Sequence, residues 1–425
     1  MILKHTGCPV QRTQFAFICI RLMSTPCWCL LTMLTFILYK NMHLTPLQIT
    51  VIVALKPASS LLSPYWSQAI YQRPDRIITN LLGANIFRHL PFLFIPWTQS
   101  PWFIIFSFGL HMTLSRATIP AWMELLKYNL PKTKREEMVA YGTTIDFLGT
   151  AILAVGAGVL LDNFQEIWKW LFLITAVLGI LSTLLLTSIP SLPAASLTSV
   201  SSCIHSFKIK EKIFKPWQQV WKLISQHKDF TIFQIGFMFG GAGLMIMQPA
   251  LPKFFIDILH LSFTEMGLAI SLCKGVGVAL TSPIWTRLFR KMNIFQLCAL
   301  VTFFATLFPF LLLATSFHLI LLYIAYAFYG IMQAGSELSW HMSGIVFAEE
   351  KDSSTFSVTN ILTVGMRGCV IPAIGTVLLP FIHPLGVMLL GAFLCFLASG
   401  YFLLNSRVVK NRLEKNERTI FQRSS

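Results

Sequence analysis

Residues Ser63–Ser67 read SPYWS, and residues Ser282–Thr286 read SPIWT. These two motifs are nearly identical and lie about half the chain apart. Neighbouring anchors repeat in the same order and at nearly the same offset: His43-Leu44-Thr45 with His260-Leu261-Ser262, and Trp122 with Trp340. The two copies of each anchor lie at similar places relative to the apolar runs of the chain. The sequence therefore predicts a duplicated structural unit.

Composition places most of the chain in a membrane. Of 425 residues, 55% are hydrophobic and 12% are charged, whereas ordinary soluble domains have about 25% charged residues. A bilayer core about 30 Å thick is crossed by about 20 mostly apolar residues of helix. Runs of this length favour helices over the shorter strands of a membrane barrel. Twelve runs fall near residues 15–39, 47–70, 77–97, 101–126, 141–162, 168–189, 229–252, 264–288, 293–316, 318–345, 355–379 and 384–405.

The repeat and the runs together predict an all-α membrane protein with twelve transmembrane helices in two homologous six-helix halves. The halves are expected at residues 1–189 and 229–405, joined by a linker at 190–228 and followed by a basic tail at 406–425. In the linker, apolar residues at helical spacing alternate with lysines. This pattern predicts an amphipathic helix on the membrane surface, with a partner-binding helix as the alternative.

The chain has an excess of basic residues and a net charge of +16. The distribution of these residues along the chain indicates how the protein is oriented in the membrane. If the N-terminus is cytoplasmic, the cytoplasmic segments hold 24 Lys and Arg residues, and the opposite face holds only Lys40, Lys169 and Lys253. Positive charge in short loops marks the cytoplasmic side. We therefore expect both termini in the cytoplasm, contact with membrane lipid and no nucleic-acid partner. A bacterial inner membrane is the expected location.

Three stretches resemble motifs of a known family. Trp66 is followed by SQAIYQRPDR, Trp285 is followed by TRLFRKMN, and SRATIPAW places Arg116 in the middle of the fourth run. The first two are similar to the G-x-L-a-D-R-x-G-R-R loop of the major facilitator superfamily of secondary transporters. The resemblance implies alternating access around a central cavity, without a cofactor. It also implies gating loops that contain Arg73, Asp75, Arg76, Arg287, Arg290 and Lys291.

Ionisable residues inside the apolar runs mark candidate transport sites, because charge at membrane depth is costly and faces a cavity or a partner. Structural pairing is expected for Arg21 and Glu124, near the cytoplasmic ends, and for Arg88 on a peripheral helix. The other interior charges are four cations and two acids: Lys56, Arg116, Lys274, Arg367, Asp146 and Glu337. For Arg116 and Asp146, a simple pair between neighbouring helices is an alternative.

Lys56 and Lys274 occupy nearly equivalent places in the two halves. At 1.5 Å per residue, each lies roughly 15 Å from the outer end of its run, near the bilayer midplane. Transporters built from repeats place substrate sites where the repeats meet. We therefore predict a small organic anion as substrate, with the two lysines as its clamp and Arg116 and Arg367 as further binding residues.

No nucleotide-binding motif is found in the sequence, so we expect an ion or solute gradient to supply the energy. Protons are the expected coupling ion, with Asp146 or Glu337 as the carrier. The alternative is a proton-coupled exporter of amphipathic or cationic compounds, in which Glu337 would be the counter-charge of the substrate. Import and export are not distinguished by these residues.

Other functional classes have weaker support. His89, His111 and His341 lie in predicted spans and raise the possibility of an intramembrane enzyme. The sequence lacks H-x-x-x-x-D, H-E-x-x-H and a Gly-rich phosphate loop, so an enzyme is not expected. Cys27 and Cys29 form C-x-C without a second pair or a neighbouring His, so we expect packing rather than a metal site. We expect a monomer.

Overall fold

The computed structural model describes residues 9–62, 65, 76–190, 209–348 and 354–424, and the regular secondary structure of these residues is helical. In the first part of the chain, the helices are α1 Pro9–Met42, α2 Pro46–Ser60, α3 Ile77–His89, α4 Pro101–Asn129, α5 Lys132–Asn163 and α6 Ile167–Leu186. A 3-10 segment, Leu90–Trp97, continues α3.

In the second part, the helices are α7 Ile209–Gln226, α8 Lys228–Ile246, α9 Phe263–Phe289, α10 Ile294–Ala314 and α11 Ile320–Ala348. Helix α9 contains a π-helical segment, Leu268–Cys273. The last element, Ser354–Ser424, is interrupted at His383, whose φ is 60° and ψ is 158°. This residue separates α12 (354–382) from α13 (384–424).

Seven helical stretches among the described residues are long and apolar enough to cross a membrane. They are Pro9–Met42, Thr133–Asn163, Ile167–Leu186, Lys228–Ile258, Phe263–Phe289, Ile294–Ala314 and Thr355–Ser406. The last stretch includes the break at His383 and therefore parts of two helices. Helix α4, with Arg116, and α11, with Glu337, are long but carry polar side chains. Each of the twelve predicted runs contains helix, and the number of spans stays a prediction.

Topology can be tested with reporters. Fusions after Ser196 and after Ser425 should both report a cytoplasmic location, and a reporter inserted at 98–101 should report the outside, because basic residues concentrate in the segments assigned to the cytoplasm. Paired phosphatase and fluorescent-protein fusions provide the measurement. An external signal at either of the first two positions would contradict the twelve-span arrangement.

The repeated tripeptides His43-Leu44-Thr45 and His260-Leu261-Ser262 have the same local structure. His43 and His260 have left-handed backbones, with φ of 49° and 51°. Thr45 and Ser262 then cap the following helices, each in a capping box with Gln48 or Glu265 three residues later. A capping box satisfies two backbone donors at the start of a helix. The same turn chemistry therefore starts α2 and α9, as a duplicated unit predicts.

The chain divides into two compact units. The first comprises Met1–Ile213 and His260–Leu272, and the second comprises Phe214–Leu259 and Cys273–Ser425. The start of α9 thus belongs to the first unit. Its backbone is held by Asp162 at the end of α5, whose carboxylate accepts hydrogen bonds of 2.8 Å from the amides of Phe263 and Thr264. The Thr264 hydroxyl donates a third, of 2.6 Å.

Each unit has its own core. In the first, the buried residues include Phe17, Leu81, Trp122 and Leu125. In the second, an aromatic cluster joins α8, α10, α12 and α13 through Phe230, Phe233, Phe295, Phe356 and Phe402. Lipid is as apolar as these side chains, so close packing rather than escape from water favours helix association. These packed cores provide rigid supports for the few buried charges.

Helix α7 is amphipathic. Trp221 is 76% exposed, whereas Val220 is buried and Leu223 joins the aromatic core of the second unit. An exposed Trp beside lysines suits the water–lipid interface, where an aromatic ring contacts both phases. The position of α7 on a membrane surface stays a prediction.

Candidate functional site

Arg367 is the most buried of the four predicted binding cations. It lies on α12 with 7% of its surface exposed. Its Nη1 donates a 2.6 Å hydrogen bond to the backbone oxygen of Phe237 on α8, and its guanidinium lies 5.5 Å from the centre of the Phe237 ring. A Cβ at Gly241 would collide with this guanidinium. The missing side chain at Gly241 therefore makes room for the charge.

A cavity of about 140 Å³ lies beside Arg367 within the second unit. Its wall combines aromatic and aliphatic surface with a small set of polar side chains. These are Gln248, Thr302, Tyr329, Ser336, Ser339 and Arg367. Among the described residues, the Nε atom of Arg367 has no hydrogen-bond partner. An apolar wall with one cation and several neutral polar groups has the chemistry of a small-molecule site.

Lys274 and Lys56 belong to different compact units. Lys274 is half-buried and begins the α-helical part of α9, directly after the π-helical segment. Its backbone oxygen lies against Gly330, so that a Cβ on Gly330 would collide with it. Lys56 is exposed on α2, one residue before Pro57. The clamp formed by these lysines remains a prediction.

Asp146 pairs with Arg21, and not with Arg116 as the neighbouring-helix alternative supposed. Arg21 Nη1 donates a 2.6 Å hydrogen bond to Asp146 Oδ2, and about a third of each side chain is exposed, 34% and 31%. The reason is helix packing: α5 lies along α1, and Gly142 on α5 leaves room for Phe17 and Arg21. The Arg21 guanidinium also lies 5.2 Å from the Phe17 ring centre.

Arg116 and Glu337 occupy more open positions. Arg116 is half-buried on α4. Glu337 is exposed on α11, and its Oε1 accepts a 2.9 Å hydrogen bond from Gln333 Nε2. The backbone oxygen of Glu337 lies 2.7 Å from Nδ1 of His341. The Glu337 carboxylate therefore contacts an amide, whereas the Asp146 carboxylate contacts a cation.

The predicted gating loops are only partly described. Arg73 and Asp75 lie outside the described residues. Arg76, Arg287, Arg290 and Lys291 are all exposed, at the ends of helices. In the second copy of the repeated motif, SPIWT, Trp285 is buried, and its Nε1 donates a 2.7 Å hydrogen bond to the backbone oxygen of Ile331. This tryptophan fixes the end of α9, next to the basic loop, against α11.

Sequence reasoning missed one polar cluster in the first unit. Arg88, His89 and His111 are buried, with 7%, 0% and 1% of their surfaces exposed. The Arg88 guanidinium lies 3.5 Å from the hydroxyl groups of Ser115 and Ser24. The sequence signal for this cluster is the pair of histidines in neighbouring predicted spans, which sequence reasoning relates only to catalysis.

The chain belongs to the major facilitator superfamily: the model of this family matches residues 16–364. This finding and the apolar helices establish an integral, multi-pass membrane protein of a transport family, rather than an enzyme family. No curated protein sequence matches this chain significantly.

Solved transporter structures share the fold at low sequence identity. The nucleoside transporter NupG is 13% identical, with a TM-score of 0.67 over 93% of this chain and 98% of its own. A POT family transporter in complex with 5-aminolevulinic acid is 11% identical, with a TM-score of 0.69 over 94% and 96% of the two chains. A bacterial homologue of the human lysosomal transporter Spinster is 12% identical, with a TM-score of 0.65 over 95% and 98%.

Proposed function

We propose that this protein is a twelve-span secondary active transporter that moves a small organic anion by alternating access, coupled to protons. The observation that carries the substrate class is the buried guanidinium of Arg367 beside a cavity of about 140 Å³. We further propose that the protein works as a monomer in a bacterial inner membrane with both termini in the cytoplasm.

The chemistry of Arg367 favours an anion. A guanidinium carries five N–H donors in a planar fork that matches a carboxylate or phosphate. One donor contacts the Phe237 carbonyl, while Nε has no partner among the described residues. An ionised ligand in the cavity would compensate a charge that is costly at membrane depth. The hydroxyl groups of Ser336, Ser339 and Tyr329 on the cavity wall could orient the rest of the molecule.

Asp146 is the better placed of the two proton carriers. Protonation of its carboxylate would neutralise the partner of Arg21, which lies 2.6 Å away. The energy of that ion pair would then depend on whether a proton is bound, which links protonation to the packing of α1 against α5. About one third of the Asp146 side chain is exposed.

Transport itself is tested with purified protein in liposomes. Vesicles preloaded with an unlabelled carboxylate should take up the same labelled carboxylate by counterflow, and a panel of small carboxylates and phosphate esters would identify the substrate. Matched vesicles without protein provide the background. Covalent conversion of the compound without flux would contradict the proposal.

Replacing Lys56 or Lys274 with Met tests the clamp. Each variant should bind the counterflow substrate about 10- to 100-fold more weakly, because a hydrogen bond to a charged group contributes about 1.5–3 kcal/mol. Met keeps the length of the side chain, so the protein should elute as the wild type does from a sizing column. Normal transport by both variants would mean that the lysines have only packing or pairing roles.

The second candidate is a proton-coupled exporter of amphipathic cations, and the exposed carboxylate of Glu337 supports it. The substitution Glu337→Gln separates the two candidates. It should abolish binding of a lipophilic cation such as tetraphenylphosphonium if export of cations is the function. Under the anion proposal, it should leave counterflow of the carboxylate unchanged.

A further inference from the structure

Three metal-ligating side chains meet inside the first unit, on three different helices. Cys27 lies on α1, His89 at the end of α3 and His111 on α4, with 1%, 0% and 1% of their surfaces exposed. Each offers one ligand atom, and these atoms all lie within 4.8 Å of one another. The sequence places no His close to Cys27 and therefore predicts packing rather than a metal site. The fold corrects this prediction, because it brings two histidines to Cys27.

Hydrogen bonds to the backbone orient both imidazoles. Nδ1 of His89 lies 2.8 Å from the carbonyl oxygen of Asn85, and Nδ1 of His111 lies 3.4 Å from that of Arg88. A carbonyl oxygen is only an acceptor, so Nδ1 carries the proton and Nε2 keeps its lone pair. Protein metal sites commonly fix a ligating His in this way, through a hydrogen bond from its other nitrogen.

The two Nε2 atoms are buried, and neither has a hydrogen-bond partner among the described residues. A buried polar atom without a partner costs about 1–3 kcal/mol. Two such lone pairs beside a thiol therefore point to a bound group that accepts electron pairs. A water molecule could donate one O–H to each nitrogen, whereas a metal ion would bind both nitrogens and also the sulfur.

Packing holds the rings in place. The His89 and His111 rings lie 5.2 Å apart, and the His111 ring is 5.4 Å from Trp28 and 5.6 Å from Phe92. The other face of the His89 ring lies on Gly179 of α6, where a Cβ would come within 2.5 Å of Nε2. The ligand set is therefore built into the packing of α1, α3, α4 and α6.

The ligand types and the local charge select the metal. Thiolate sulfur and imidazole nitrogen suit Cu(I), Zn(II) and related soft or borderline ions. The guanidinium of Arg88, next to His89 in the chain, already places a buried positive charge close by. When Cu(I) binds, it forms a bond to Cys27 Sγ and the thiol proton leaves to water, so the charge of the site does not change. A divalent ion would add one unit of positive charge in a low-dielectric interior, which is costly.

We propose that Cys27, His89 and His111 form a buried three-coordinate site for Cu(I) in the first unit, separate from the Arg367 cavity. The site requires no redox step, because the ion is bound in the oxidation state in which it arrives. It would tie α1, α3 and α4 together at one point.

Cu(I) binding to the purified full-length protein tests the site. Anaerobic titration with Cu(I) against the chromogenic chelator bicinchoninate should reveal one tight site per chain. Cys27→Ser and His111→Gln should each weaken that site by at least about 10- to 100-fold, the loss seen when even an outer-shell partner of a metal ligand is removed. The matched control is Cys29→Ser, because Cys29 is equally buried on the same helix and lies outside the cluster.

X-ray absorption at the copper edge gives a second reading that does not depend on the variants. One sulfur and two imidazole nitrogens around Cu(I) in the wild-type protein would support the site, even if a substitution prevented folding. The proposal is overturned if the wild type lacks a tight site, if copper has only sulfur ligands, or if Cys29→Ser weakens binding as much as Cys27→Ser. A null titration would leave the cluster as a polar packing contact around Arg88.

Discussion

Replacing Arg367 with Met should reduce binding of the transported anion by at least about 100-fold, the largest loss we expect from a single substitution. Two charge-assisted hydrogen bonds contribute together about 3 kcal/mol or more, which corresponds to about two orders of magnitude in affinity. The fold should survive, because Met fills a similar volume and Phe237, whose carbonyl loses a donor, lies inside α8. Isothermal titration with the substrate identified by counterflow provides the measurement.

Two matched variants separate charge from shape. Arg367→Lys keeps the charge but loses the planar fork, so we expect an affinity between those of the wild type and Arg367→Met. Gly241→Ala keeps the arginine but places a Cβ where the guanidinium lies, so it should also weaken binding. Wild-type affinity in Arg367→Met would exclude the cavity in the second unit as the anion site.

Neutralising Asp146 should abolish uphill accumulation while leaving exchange intact. In Asp146→Asn, Arg21 loses its ionised partner at 2.6 Å, and the site no longer binds and releases a proton. A proton gradient should therefore drive no concentration of substrate in liposomes, whereas counterflow, which needs no net proton movement, should continue. The ratio of internal to external substrate at steady state is the quantity to measure.

Control variants identify the carrier. Glu337→Gln should keep uphill uptake if Asp146 alone carries the proton. Arg21→Met removes the other half of the ion pair and tests whether the pair is needed for folding. If Asp146→Asn combined with Glu337→Gln still accumulates substrate, neither acid carries the coupling proton.

The sequence predicts helices better than side-chain partners. The position of a helix can be predicted locally, because the length and hydropathy of an apolar run are properties of neighbouring residues. The same holds for the N-cap residues Thr45 and Ser262. Arg21 and Asp146 are distant in the chain, and only the packing of α1 along α5 brings them together. A charge count could therefore identify Asp146 as a functional candidate and Arg21 as a structural residue without pairing the two.

The same limit applies to the buried candidates. Cys27, His89 and His111 have no motif spacing, and their proximity depends on the arrangement of three helices. Arg367 was predicted as a binding residue from its depth in an apolar run, but its contact with Gly241 and Phe237 is a tertiary feature. The equivalence of Lys56 and Lys274 in the repeat does not carry over to their surroundings, since one is exposed and the other half-buried.

The π-helical segment of α9 lies where the two compact units are divided. The division falls within the segment, between Leu272 and Cys273, so α9 has residues in both units. Asp162 anchors the start of that helix, and Lys274 follows the segment directly. π-helical turns are rare inside α-helices and often occur at functional positions. Leu268–Cys273 is therefore a local change of helical hydrogen-bond pattern between the Asp162 anchor and Lys274.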